Sequence, residues 1–195
     1  GVELAVEIAN NAMSDINMSM AKATGIMSMG GAKIEIIFKD HEGNPTLGAD
    51  LAKKLILDDK VDGLLGCYHS SVTKTVSAVA EQYGVPMING SSTSPALTKR
   101  GFNWFWRTTP HDVWFTKDLF EFLNGLTEGK VKGVQAVPKK DIMNLSSACE
   151  KTEWGSFVSE LIQQFAKEYG YDLRKFMLYA KEAPDLSSEV RSLKA

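Results

Sequence analysis

Between Lys33 and Arg107 the chain switches repeatedly between two apolar repeats, and that switching limits the folds open to it. Lys33 to Lys39 places Ile34, Ile36 and Phe38 on one side and Glu35 and Lys39 on the other, which predicts a strand. Asn44-Pro45 then opens a helix, because proline is tolerated at the first helical position, and Leu47, Leu51 and Leu55 follow at helical spacing. Val61 to Cys67 is a short apolar run predicted as the next strand. A helix from Ser70 or Ser71 carries Val72, Val76, Val79 and Tyr83 on one face. Val85 to Ile88 and Trp104 to Arg107 predict two further strands, with a short helical segment near Leu97 between them. Such alternation favours an α/β fold with a parallel sheet and helices on both faces.

The flanks extend the pattern. Gly1 to Asn17 has helical spacing through Val2, Val6, Ala9, Met13 and Ile16, and Met18 to Met29 reads as its continuation up to Gly30-Gly31. Beyond Thr109-Pro110, Asp112 to Leu123 predicts a helix and Gly125 to Lys140 a loop. Ile142 to Cys149 predicts a strand, and Phe157, Leu161 and Phe165 mark a helix over Gly155 to Tyr169. Tyr171 to Tyr179 predicts another strand, with Asp185 capping a last helix. The expected organisation is two doubly wound, Rossmann-like lobes. Residues 1–108 form the first, lacking its first strand, and residues 109–195 begin a second, incomplete one.

Composition removes several function classes. The net charge is −2 over 195 residues with both signs interspersed, so the basic footprint of a nucleic-acid binder is missing. No apolar run approaches the roughly 20 residues of a membrane span. The chain opens at Gly1 without a signal peptide, as a mature or trimmed chain would. Cys67 and Cys149 lack paired spacing and read as two unlinked thiols. His41, His69 and His111 are scattered without ligand spacing, so no metal or cofactor is implied. There is no GxSxG elbow, phosphate loop, GxGxxG or HExxH motif.

Ligands of open α/β sheets bind beyond the carboxyl ends of the strands. Three such places are chemically distinctive. In Gly66-Cys67-Tyr68-His69-Ser70-Ser71-Val72-Thr73 hydroxyl residues open a helix, where free N–H groups attract a carboxylate; equally, Ser70 and Ser71 could simply cap the helix. Asn89-Gly90-Ser91-Ser92-Thr93-Ser94 combines small hydroxyl residues with a glycine, offering acceptors for an ammonium and donors for a carboxylate; an ordinary polar loop would look the same. Trp154-Gly155 precedes a helix, and the ring either covers a ligand or staples the helix to its lobe.

The segments GVELAVEIAN, GGAKIEIIFKDHEGNP, LAKKLILDDKVDGLLG, SSVTKTVSAVAEQYGVPMINGSSTSPALTKRGFNWFWRTTPHD and EKTEWG, in this order, resemble the leucine/isoleucine/valine-binding family. These are type I periplasmic substrate-binding proteins of ATP-binding-cassette importers, and their relatives bind other amino acids, amides, urea or aromatic acids. The resemblance implies the type I periplasmic binding fold, a location in the periplasm or lipid-anchored outside the cytoplasmic membrane, and a membrane permease as partner. It also implies site residues. Ser70 would hold a ligand carboxylate, Ser91, Ser92 and Thr93 would line the second loop, and Trp154 would cover the ligand after the second lobe closes. Two other classes share the pattern. A ligand-sensing regulator uses the same fold, and an α/β enzyme would be betrayed by turnover of its solute.

Overall fold

A computed structural model describes residues 1–194, which fall into two compact units, Gly1–Asp40 and His41 onward. In the first unit, helix α1 spans Val2–Asn10, shorter than its apolar spacing predicts. Asn11 leaves the helix in an extended conformation, and its carboxamide donates to Glu7 O at 2.8 Å. Residues 18–29 do not continue the helix; they form two short 3-10 turns, Ser19–Lys22 and Met27–Met29. The physical reason is the backbone around Gly25, Gly30 and Gly31, all at positive φ. A Cβ on Gly25 would lie 2.3 Å from Gly31 O, where Ile26 and Ala32 bridge antiparallel across the turn.

The alternating segment 33–39 is likewise not a strand. No ladder pairs with it among the described residues. Instead the Asn10 side chain bonds both Ile34 N–H and Ile34 O at 2.7 Å, as a neighbouring strand would. Alternation describes two faces; a strand also needs a partner for its backbone.

In the second unit α2 (Pro45–Leu57) is capped by Asn44, whose side chain accepts from Thr46 N and Leu47 N. Strands β1 (Leu64–Leu65), β2 (Met87–Asn89) and β3 (Phe105–Arg107) form a parallel sheet in that order, with α3 (Ser70–Tyr83) crossing between β1 and β2. Leu64, Met87 and Phe105 sit side by side and pack into a core with Val72, Val76 and Val79 of α3. The opposite row, Leu65, Ile88 and Trp106, is exposed. Helices α2 and α3 approach closely at Gly48, where a Cβ would stand 2.5 Å from Val72 Cγ1.

After Pro110 come α4 (Asp112–Thr127), a single turn α5 (Lys139–Ile142), β4 (Asn144–Glu150), α6 (Glu153–Glu168), β5 (Asp172–Tyr179) and α7 (Ser187–Lys194). Strands β4 and β5 pair in parallel, with an irregularity between Leu145 and Ser146. Phe120 of α4, Leu161, Phe165 and Ala166 of α6, and Tyr171 form a second core. The architecture is mixed α/β with two parallel sheets, as the alternation of strands and helices predicts. No described helix is long and apolar enough to cross a membrane.

Candidate functional site

The carboxyl ends of β1 and β2 carry the two hydroxyl-rich loops, and Asn89 joins them. Asn89 is the last residue of β2, on the same face as Met87, and is fully buried. Its amide nitrogen donates to Gly66 O at 2.9 Å and Cys67 O at 2.8 Å. Its carbonyl oxygen accepts from Ser91 N at 3.2 Å and Ser92 N at 2.8 Å. One side chain therefore satisfies four backbone groups of two loops, which a buried turn cannot leave unpaired.

Thr73 and Ser92 complete the joint. Their hydroxyls share a hydrogen bond of 2.6 Å, and Ser92 Oγ also lies 2.9 Å from Cys67 O and 3.0 Å from Tyr68 O. Ser92 is 2% exposed, so its hydroxyl is committed to the loops themselves. Ser70 is buried too and accepts from Ser94 N at 3.4 Å. It does not cap α3. The helix starts at Ser70, His69 precedes it, and no side chain caps that end. Ser91 is exposed and Thr93 half-buried, leaving these two hydroxyls at the rim of the joint.

The neighbouring thiol is quiet. Burial pushes the Cys67 thiol up to about 11, and the hydrogen bond with Thr73 only partly offsets this. His69 is held below the ordinary histidine value, first by desolvation and then by the positive charge of Lys181 and by His41. The thiol is therefore neutral at pH 7, and the imidazole gives up its charge more readily than an ordinary histidine.

Trp154 stands at the start of α6. Thr152 caps that helix through Gly155 N at 3.1 Å, and a Cβ on Gly155 would lie 2.0 Å from Glu150 O. Only glycine lets the helix start so close to the end of β4. Trp154 is 43% exposed and enters neither core, so it does not pack as a buried staple. Its ring is fixed by Nε1–H donating to Asp112 Oδ1 at 3.0 Å.

Asp112 and Asn89 are the residues that sequence reasoning missed as site members. Asp112 is 3% exposed, its N–H donates to Thr93 O at 3.0 Å, and its second carboxylate oxygen is buried without a protein partner. It thus connects the Thr93 loop to Trp154. Asn89 was legible as the first residue of the polar loop Asn89 to Ser94, not as the buried end of β2 that joins two loops; a buried carboxylate opening a helix carries no sequence signal beyond its position. Hollows of about 430 Å³ by Asp185 to Arg191 and about 370 Å³ by Thr152 to Glu160 are not lined by Ser70, Ser91 or Thr93. Among the described residues no group of three or more His, Cys, Asp or Glu side chains could hold a metal ion.

Paired loops at the carboxyl ends of adjacent parallel strands, with Trp154 at the start of α6, place this chain in the α/β class, whose ligands sit at such strand ends. The whole chain, residues 1–195, matches the periplasmic binding protein family, and it belongs to that family. It is 26% identical over 166 residues to the Leu/Ile/Val-binding protein homolog 7 of Brucella suis, covering 85% of this chain and 40% of that one. The chain thus spans less than half the length of that relative. Two solved structures show the same fold. A solute-binding protein of an ABC transporter from R. palustris, in complex with 4-hydroxybenzoate, superposes with a TM-score of 0.71 at 17% identity, covering 85% of this chain and 41% of that one. A branched-chain amino acid transporter substrate-binding protein from Streptococcus pneumoniae, in complex with isoleucine, gives 0.68 at 20% identity, over 85% and 43%.

Proposed function

We propose that this chain is part of an extracytoplasmic solute-binding protein that captures a small carboxylate-bearing solute, an amino acid, between two lobes. The lobes would be residues 1–108 and the portion from 109 onward, with delivery to the permease of an ABC importer. The observation that carries this reading is the joint made by Asn89, Thr73 and Ser92. It holds two polar loops in one geometry before any solute arrives, which lowers the ordering cost of binding.

In this reading Ser91 and Thr93 supply the accessible hydroxyls, and the uncapped start of α3 supplies N–H donors for the carboxylate. Ser70 and Ser92, both buried, support the loops from beneath. Asp112 and the loop carbonyls favour an ammonium, which selects amino acids over aromatic acids. Trp154 closes over the solute as the second lobe swings in. The protein binds without turning its ligand over, and works in the periplasm or anchored outside the cytoplasmic membrane.

The test is a calorimetric screen of the full-length protein against amino acids, amides, urea and aromatic acids. Amino acids should bind and be recovered unchanged, and at about 100 times Kd should add roughly 2.7 kcal/mol of stability. Binding confined to aromatic acids, amides or urea would overturn the amino-acid assignment, and a ligand recovered chemically altered would overturn the binding-protein reading.

A further inference from the structure

One ion pair spans the two sheet systems. Lys74 lies in the second turn of α3, packed on the three-stranded sheet, and Glu153 is the first residue of α6, packed on the two-stranded sheet. Lys74 Nζ reaches both carboxylate oxygens of Glu153, at 3.2 and 3.1 Å. The Glu153 side chain is 29% exposed, so the pair is partly shielded from water.

The surroundings favour this pairing on both sides. The Arg100 guanidinium donates to Lys74 O at 2.9 Å and to Ser77 Oγ at 2.7 Å, and its charge is felt at Glu153 as well. Glu153 therefore faces two cations from the first half. It also sits at a helix N-terminus, where a negative charge is favoured. The geometry points to Lys74–Glu153 as a latch that biases the two halves toward the closed arrangement and so sets affinity for every solute alike. This rests on the two-lobe closing reading above.

The physical basis is population. A ligand that binds only the closed form has its apparent affinity reduced by the fraction of protein that is open. A latch made by groups that touch no ligand changes that fraction and leaves selectivity alone. Direct ligand contacts behave differently, because they shift one solute more than another.

The test uses the full-length protein with dyes on the exposed positions Lys54 and Glu168, and reads the closed-to-open ratio by single-molecule energy transfer without ligand. Glu153→Gln and Lys74→Met should each lower the ratio roughly two- to fivefold, as a partly exposed ion pair allows. Because they remove one interaction, the double variant should fall no further than either single one. Raising salt should lower the ratio in the parent and leave Glu153→Gln unmoved. An unchanged ratio in Glu153→Gln, or single effects that add in the double variant, would overturn the latch. If the parent never populates two states, or the amino acid that binds in calorimetry leaves its ratio unchanged at saturation, the closing reading itself falls instead.

Discussion

The two sheet systems of the second unit are filled with different materials. Around the three-stranded sheet the buried core is mostly aliphatic and small: Ala52, Val72, Val76, Val79, Ala80, Met87 and Leu97, with Phe105 buried among them and Phe102, partly buried, packed against this core. Thr73, Ser77, Asn89, Ser92 and Ser94 are buried among or beside them. Around the two-stranded sheet the core is aromatic. Phe120 lies 6.2 Å from Phe165, 5.8 Å from Tyr169 and 5.7 Å from Tyr171, ring centre to ring centre. The Tyr171 hydroxyl donates to Asn124 Oδ1 at 3.0 Å. The first core spends its buried hydrogen bonds on aiming two loops; the second spends its area on holding helices to a sheet. The positioning of the two loops and the aromatic packing are thus divided between the halves.

That division is breakable. Phe120→Ala should cost about 3–5 kcal/mol of stability, measured by denaturant unfolding, with affinity unchanged under conditions where the protein stays folded. Asn89→Ala should cost about 3 kcal/mol and abolish binding as well, because four backbone groups lose their partner. If Asn89→Ala bound normally, the contrast between the halves would be lost.

The same division explains what the sequence made legible. Helices α2, α3, α4 and α6 were readable because each buries one stripe at helical spacing, as with Leu161 and Phe165. The strands after Val61 and Val85 were readable as apolar runs between turns. Segment 33–39 was not, since alternation of Ile34, Ile36 and Phe38 says nothing about where a pairing strand lies. Met18 to Met29 departs from a helix although Met, Ala and Ser suit one, because Gly25 imposes a turn that only close backbone approach reveals and Gly30 adopts a positive φ. At the site, Ser91 and Thr93 were visible by type and place. Asp112 was not, because its importance lies in bonds to residues 19 and 42 positions away, Thr93 and Trp154.

Smaller effects sharpen the contrast. Thr93→Ala should weaken amino-acid binding by about 1.5–3 kcal/mol, roughly ten- to hundredfold, with the melting temperature nearly unchanged. Thr98→Ala is the control and should bind like the parent; equal affinities for both variants would remove Thr93 from the site.

The smallest effect is in pH, and it too belongs to the first half. His69 has its folded value lowered by burial, so the unfolded chain binds more protons. Its contribution is present above the ordinary histidine value near 6.5 and is lost as pH falls below that. Cys67 works in the other direction. With its thiol raised to about 11, its contribution is present below the ordinary value and is lost as pH rises toward 11. Stability curves for His69→Gln and Cys67→Ser should each flatten one flank; the parent's slopes surviving in both would assign them elsewhere.

Hydrogen exchange with and without the amino acid selected by calorimetry tests the central claim most directly. Loops held ready in the first half and a cover from the second predict ligand protection at Ser70–Val72, at Ser91–Ser94 and at the start of α6 around Trp154, with the aromatic core of Phe120 and Phe165 unaffected. Protection centred on that aromatic core, with Ser91–Ser94 exchanging as fast as in the free protein, would contradict the account.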